Sequence, residues 1–296
     1  MLPPKNKKVN LLVSYAYMKD LSDELTSWIY NVPEVNWLLD CGAFTAFTLG
    51  KEININEYIE YCKKWSSKLY GYFALDSIRN PKQTALNLDI MLQKDTQPVP
   101  VHVRGDNEQR MNDLYTISDY IGLGGMKRGH GGGYNISYVD QKMQWAKGRK
   151  VHWFGQANQL LLNTYKPFSC DASTASRGRR WGLLKIYRDP FTPVLEFTYK
   201  EFIQSKIPLW CREVIEQLGF TYEDILLEEN WHGVRQMASM VGRSSFIRYM
   251  WDCEKYLGTK YFIADSIAGM YELFYIHGKI NNIEYCNPEL IPDKLM

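Results

Sequence analysis

The chain has 296 residues, 45% of them hydrophobic and 23% charged, a balance that suits one large folded domain or a domain with an appendage. A formal net charge of +2 gives no bulk basic character, so any nucleic-acid footprint has to be local. No apolar run approaches the roughly 20 residues needed to cross a membrane, and no membrane partner is expected. The start, MLPPKNKKVN, carries positive charge without the apolar stretch of a signal peptide. Six scattered cysteines (Cys41, Cys62, Cys170, Cys211, Cys253 and Cys286) have no paired spacing and read as reduced thiols in a cytoplasmic setting.

In chain order, short apolar runs with strand character recur at NLLVSYA (10–16), VNWLLD (35–40), LYGYFALD (69–76) and PVPVHVRG (98–105). They continue at DYIGLGG (119–125), KVHWFGQ (150–156) and FSCDAS (168–173). Helical patterns fill several intervals. INEYIEYCKKWSSKL puts Tyr58, Tyr61, Cys62 and Trp65 on one face, and NPKQTALNLDIMLQK opens on Asn80 and Pro81, a helix start. Strands alternating with helices predict a parallel sheet. Polar residues follow nearly every strand, which favours an α/β fold of the (β/α)8 TIM-like barrel type over an open doubly wound sheet. The eighth strand is open between GLLKIY (182–187) and TPVLEFT (192–198). Past about residue 200 the pattern turns helical and rich in Trp, Tyr and Met. The predicted organisation is a barrel over 1–200 and a C-terminal helical segment over 201–296 packed on it, with a possible nucleic-acid contact.

Three acids stand at strand ends. Asp40 closes WLLD, Asp76 closes YFALD, and Asp171 sits within FSCDAS. A carboxylate there loses water and needs a partner or a purpose. One such residue reads as a helix cap; three at the ends of different strands are explained together by one active site. GLGGMKRGHGGG (122–133) lacks the Gly-Lys-Ser/Thr ending of a P-loop and the dinucleotide fingerprint, so no nucleotide cofactor is expected. Gly124 and Gly125 instead end a strand where a ligand can approach the backbone. Lys127 and Arg128, and the denser group Arg177, Arg179 and Arg180, suit phosphate contacts beside a catalytic acid.

LLDCGAF, ALDSI, IGLGGM, WFGQ and SCDAS, in this order, resemble the tRNA-guanine transglycosylase (queuine tRNA-ribosyltransferase) superfamily over roughly residues 10–185. The compressed spacing is most like the DpdA-type DNA-guanine transglycosylases of phages and bacteria. The resemblance implies that Asp171 is the nucleophile, attacking C1′ of the nucleoside. It makes Asp40 the general acid/base and Asp76 the acceptor for the N–H edge of the base. Phe44 and Phe154 would cover the two faces of the base, while the backbone of Gly124, Gly125, Met126 and Gly155 would complete recognition. The family's base-reading Gln is replaced within VHVRG, where His102 or Arg104 takes its place. Cys41 stands where the family has Ser, and packing is its simplest role. The implied activity is a pentosyltransferase exchange of guanine in DNA for a 7-deazaguanine such as preQ0, with no cofactor. A homodimer or accessory protein is a possible partner.

The zinc motif of the tRNA enzymes is missing: Cys211, Cys253 and Cys286 are far apart, and His232 and His277 complete no spacing, so no metal is expected. This departure and the short length favour DNA over tRNA. A tRNA enzyme, a non-catalytic nucleic-acid-binding subunit and a retaining glycoside hydrolase are the alternatives.

Overall fold

Seven strands form at the seven apolar runs of the sequence, the first of them starting one residue earlier, at Val9. They are β1 (Val9–Ser14), β2 (Val35–Asp40), β3 (Gly71–Tyr72), β4 (Val101–His102), β5 (Tyr120–Leu123), β6 (Lys150–Trp153) and β7 (Ser169–Ala172). The structure, a computed structural model, describes residues 8–126, 135–156, 158–175, 178, 181–232, 236–267, 269–270, 272–274 and 276. The eighth strand of the sheet comes from neither expected segment. Leu183–Ile186 (β8) and Leu195–Thr198 (β9) pair antiparallel with each other in a separate sheet, and Lys260–Ala264 (β10) joins the main one. The resulting eight-stranded sheet runs in the order β3-β2-β1-β10-β7-β6-β5-β4. Parallel registers include Leu38↔Gly71, Val101↔Gly122, Ile121↔Val151 and His152↔Ser169. An isolated parallel bridge joins Phe73 to Val99, with hydrogen bonds from Val99 N to Tyr72 O (2.7 Å) and from Ala74 N to Val99 O (2.9 Å).

The chain separates into two compact units, one holding residues 10–32 and 36–171 and the other residue 172 onward with residues 8, 9 and 33–35. In the first unit the helices are α1 (Tyr15–Met18), α2 (Asp23–Tyr30), α3 (Ala43–Thr48), α4 (Ile55–Trp65) and α5 (Pro81–Gln93). Three more follow: α6 (Glu108–Ile117), α7 (Ile136–Ala146) and α8 (Gln159–Tyr165). Helices α4 to α8 start alike, each with an asparagine (Asn54, Asn80, Asn107, Asn135, Asn158) whose side chain accepts from a first-turn N–H. Such a cap contributes about 1 kcal/mol and fixes where the loop after a strand ends. The loop that carries Asp76, between β3 and α5, is therefore anchored at its helical end by Asn80, whereas α3, which follows Asp40, starts at Gly42 without a side-chain cap. Helix α4 buries Tyr58, Ile59, Cys62 and Trp65, close to the predicted face, while Tyr61 is only half-buried.

The other unit contains β8, β9, β10 and helices α9 (Tyr199–Gln204), α10 (Leu209–Gln217), α11 (Tyr222–Ile225) and α12 (Met237–Asp252). Its core joins Leu184, Ile186, Phe202, Val214, Trp231 and Val241. Helix α12 is buried on nearly every side, and its Arg243 is neutralised by Asp265 (3.0 Å) and Glu272, with Ser239 as a further acceptor. A buried guanidinium requires such pairing. No described helix is long and apolar enough to cross a membrane.

Phe73, His152, Phe154 and Tyr120 form an aromatic cluster among the strands of the first unit, with Phe73 centred 4.4 Å from Phe154 and 4.8 Å from His152. Gly122 on β5 leaves room for it. A Cβ there would stand 2.6 Å from the Phe154 ring and 3.1 Å from Phe73. Because the Phe154 ring is held by two neighbours, Gly122→Ala is expected to cost about 1–3 kcal/mol, the usual penalty of overpacking. Urea unfolding checks this: the midpoint should fall at constant slope, whereas an unmoved midpoint would mean that the ring swings aside freely.

Candidate active site

The three sequence-predicted acids come together in the first unit, at the carboxyl ends of its strands. Asp40 terminates β2, Asp76 lies four residues beyond β3, and Asp171 is on β7. Their proximity is visible in their electrostatics. Burial, then the charges of Asp76 and Asp171, push the Asp40 carboxyl up to about 7; the Gly42 N–H and the nearby Ser14 hydroxyl oppose the shift. A carboxyl tuned to neutrality exchanges a proton readily, which is what a general acid/base requires. Its stabilising donor depends on a glycine. Gly42 N donates to Asp40 Oδ2 at 3.0 Å from a left-handed residue (φ 82°), where a Cβ would stand 2.8 Å from Ala16.

Asp76 is also raised by burial, with relief from the Cys41 thiol and its own backbone. Cys41 Sγ donates to Asp76 Oδ1 at 3.0 Å. Burial and the two neighbouring carboxylates hold that thiol far above its ordinary range, so Cys41 is a hydrogen-bond donor and not a nucleophile. Packing alone therefore understates Cys41: it is the proton partner of Asp76.

Asp171 is buried and differently served. Its Oδ1 accepts from Gly155 N at 2.9 Å and lies 3.2 Å from His152 Nε2. No described residue hydrogen-bonds its Oδ2, and none of the three acids forms an ion pair with a described lysine or arginine. Among the described residues no group of three or more His, Cys, Asp or Glu is arranged to hold a metal ion.

The other predicted residues divide. Phe154 packs on Phe73 and His152, and Gly155 contributes the N–H just described. Phe44, in the first turn of α3, is 65% exposed, an aromatic face left open to solvent. Gly124 and Gly125 follow β5 with their carbonyls engaged: Tyr138 Oη donates to Gly124 O (3.0 Å) and Arg104 to Gly125 O (2.7 Å). Met126 is buried. His102 is not brought to the acids. Its ring is 6.2 Å from Trp145 of α7, and Nε2 lies 3.2 Å from the Asn107 carbonyl at the start of α6. Burial and the Lys142 ammonium push it down to about 4, which marks a core imidazole. Lys127, Arg128, Arg177, Arg179 and Arg180 lie outside the described residues.

Sequence reading missed His152, Ser169 and Tyr120. The signal was available in the strand period: Ser169 and Asp171 are two apart on β7 and share a face, and the register sets His152 beside Ser169. The described cysteines, Cys41, Cys62, Cys170, Cys211 and Cys253, form no disulfide.

The Asp40 carboxyl makes stability depend on pH in a definite direction. The folded chain keeps this proton up to about pH 7, whereas an unfolded aspartate releases it near pH 4, at about 3.9. Rising pH across that window therefore removes stability, and below it the penalty vanishes. Asp40→Asn should be more stable than wild type by a margin that grows from pH 4 to pH 7 and then levels off, reaching a few kcal/mol at most. Thermal unfolding of both proteins at pH 4, 5, 6, 7 and 8 measures the margin, and a constant margin would contradict the buried, proton-holding Asp40.

No protein-family model matches the chain, and no curated protein matches it in sequence. What the site does is thus to be judged on the chemistry of its carboxylates.

Proposed function

We propose that the chain is a guanine transglycosylase acting on DNA, exchanging guanine for a 7-deazaguanine of the preQ0 kind by double displacement. The observation that carries this reading is the division of three neighbouring carboxyls into three states. Asp40 holds a proton near neutrality, Asp76 is bound to a thiol, and Asp171 has one oxygen doubly engaged and the other without a hydrogen bond from any described residue. That is the set a base exchange requires: a proton carrier, a base-edge acceptor and a nucleophile.

In the first displacement an Asp171 oxygen forms a bond to C1′ as the bond from C1′ to the guanine nitrogen breaks. The bonding pair leaves with guanine, which takes its proton from Asp40. In the second, the incoming deazaguanine gives its ring proton to Asp40, its nitrogen attacks C1′, and the bond to Asp171 breaks. Two inversions restore the starting configuration, and both pass through an oxocarbenium-like state that a close carboxylate stabilises. Asp76 accepts from the N–H edge of the base, Phe44 and Phe154 cover its faces, and the backbone of Gly124, Gly125, Met126 and Gly155 borders it. His102 has no part in this reading, since its ring serves the helix layer. Lys127, Arg128, Arg177, Arg179 and Arg180 are proposed for the phosphates. A target guanine in duplex DNA has to be flipped out at a cost of a few kcal/mol, and a Phe44 open to solvent offers the extruded base a surface to stack on.

The fold proposed for this chemistry is a closed (β/α)8 barrel with a C-terminal helical extension. The bridge from Phe73 to Val99 supports closure, because it links the segments at the two edges of the sheet order. Cysteines without disulfides among the described residues accord with a cytoplasmic enzyme. It is proposed to need no cofactor, and to work alone, as a homodimer or with an accessory protein.

The test is incorporation of labelled guanine into duplex DNA, single-stranded DNA and bulk tRNA. Wild type should label DNA. Asp171→Asn should fall roughly 1,000-fold or more, and Asp40→Asn by about 100-fold or more, the sizes of losing a nucleophile and a general acid. Labelling of tRNA alone would move the substrate to tRNA, and full activity of Asp171→Asn would reject the mechanism.

A further inference from the structure

Behind the Asp171 carboxylate runs a buried chain of polar groups that the base-exchange chemistry does not itself require. His152 Nε2 lies 3.2 Å from Asp171 Oδ1, His152 Nδ1 lies 2.9 Å from Ser169 Oγ, and Ser169 Oγ lies 2.7 Å from Tyr120 Oη. His152 and Ser169 are fully buried, and Tyr120 is buried as well. Although Ser, His and Asp meet here, Ser169 is no nucleophile: its oxygen is inaccessible and already shared between the imidazole and the phenol.

We infer that His152, oriented by Ser169 and Tyr120, is a positioning residue that pins Asp171 Oδ1 so that Oδ2 is the atom that attacks C1′; this rests on the base-exchange reading. An ionised carboxylate only accepts hydrogen bonds, so His152 meets it with an Nε2–H. A neutral imidazole then presents Nδ1 as an acceptor, which fixes the rest: Ser169 donates to Nδ1, and Tyr120 donates to Ser169. The chain thus has one direction, from the phenol to the carboxylate, and it sets the tautomer of the ring. Packing sets the plane. Phe73 and Phe154 lie 4.8 and 4.9 Å from the imidazole centroid and prevent it from turning. With Gly155 N as the second donor at 2.9 Å, Oδ1 is held from two directions. Oδ2, which has no hydrogen-bond partner among the described residues, keeps its lone pairs for the substrate.

Because His152 touches Asp171 and not the base, its loss should act on kcat more than on KM. His152→Leu removes the donor. His152→Gln restores it, since the glutamine Nε2 reaches about as far as the histidine Nε2. Under labelled-guanine exchange, His152→Leu should lower kcat by about 10- to 100-fold, the effect of one hydrogen bond to a charged group, with KM for guanine nearly unchanged. His152→Gln should recover most of that loss. Should the leucine variant not fold, Ser169→Ala takes its place: it frees the ring to change tautomer and should lower kcat about 10-fold, with KM again preserved.

Nitrogen-15 NMR of wild type, read without any substrate, should find the His152 ring as the Nε2–H tautomer. Equal losses in the Leu and Gln variants, an unchanged kcat in Ser169→Ala, or an Nδ1–H ring would each overturn the inference. If wild type exchanges no base in any nucleic acid, the base-exchange reading fails, and the tautomer alone still decides whether His152 points a proton at Asp171.

Discussion

Three carboxyl groups at or near the ends of β2, β3 and β7 are drawn out of water, with the charges of Asp76 and Asp171 bearing on Asp40, and the rest of the site answers to that constraint. Two of them, Asp40 and Asp76, are pushed toward their neutral forms, burial being the larger cause in both. No described lysine or arginine forms an ion pair with the three, so each is settled by a different local device. Asp40 keeps a proton near neutrality, Asp76 takes the hydrogen of a thiol, and Asp171 takes a backbone N–H and an imidazole. These devices are not interchangeable. A lysine beside Asp40 would oppose the shift that lets this carboxyl keep a proton near neutrality. Among the described residues the acids are met by a thiol, two backbone N–H groups and an imidazole, so their surroundings differ from one carboxyl to the next.

Much of this was legible in the sequence where two signals agreed. Each of the seven early strands was announced by an apolar run, and the acids were conspicuous because charge at the inner end of such a run is costly. The eighth strand failed for a physical reason. LEFT in β9 alternates between half-buried and exposed residues, the mark of an antiparallel pair with one open face. In β10, Lys260 is followed by the apolar run YFIA, buried over Tyr261, Phe262 and Ile263, as a central parallel strand is. The period therefore distinguishes the two, but β10 lies beyond a long helical stretch, far in chain order from the other strands of its sheet. Nothing comparable marked the tertiary partners. His102 and His152 look alike on paper, each lying in an apolar strand, yet one packs against α7 and the other bonds Asp171. Only the register, which sets His152 beside Ser169, separates them.

Phe73 ties the fold to the site. Its backbone makes the bridge to Val99, its carbonyl accepts from Tyr58 Oη of α4 at 2.6 Å, and its ring packs on His152, Phe154 and Tyr120. The strand segment that joins β3 to the β4 edge therefore also supplies one wall around the imidazole. Three residues further on, the same segment delivers Asp76. A shift of this segment would move the Asp76 carboxylate and loosen the ring behind Asp171 at once, so the placement of both acids depends on one short piece of backbone. Its rigidity comes from hydrogen bonds on both sides and from aromatic packing above, and close-packed interiors resist small displacements. Precision at the site is thus inherited from the sheet, whereas the exposed Phe44 and its helix sit on a loop that follows Asp40. The arrangement gives the three acids a fixed frame and leaves the Phe44 ring facing solvent.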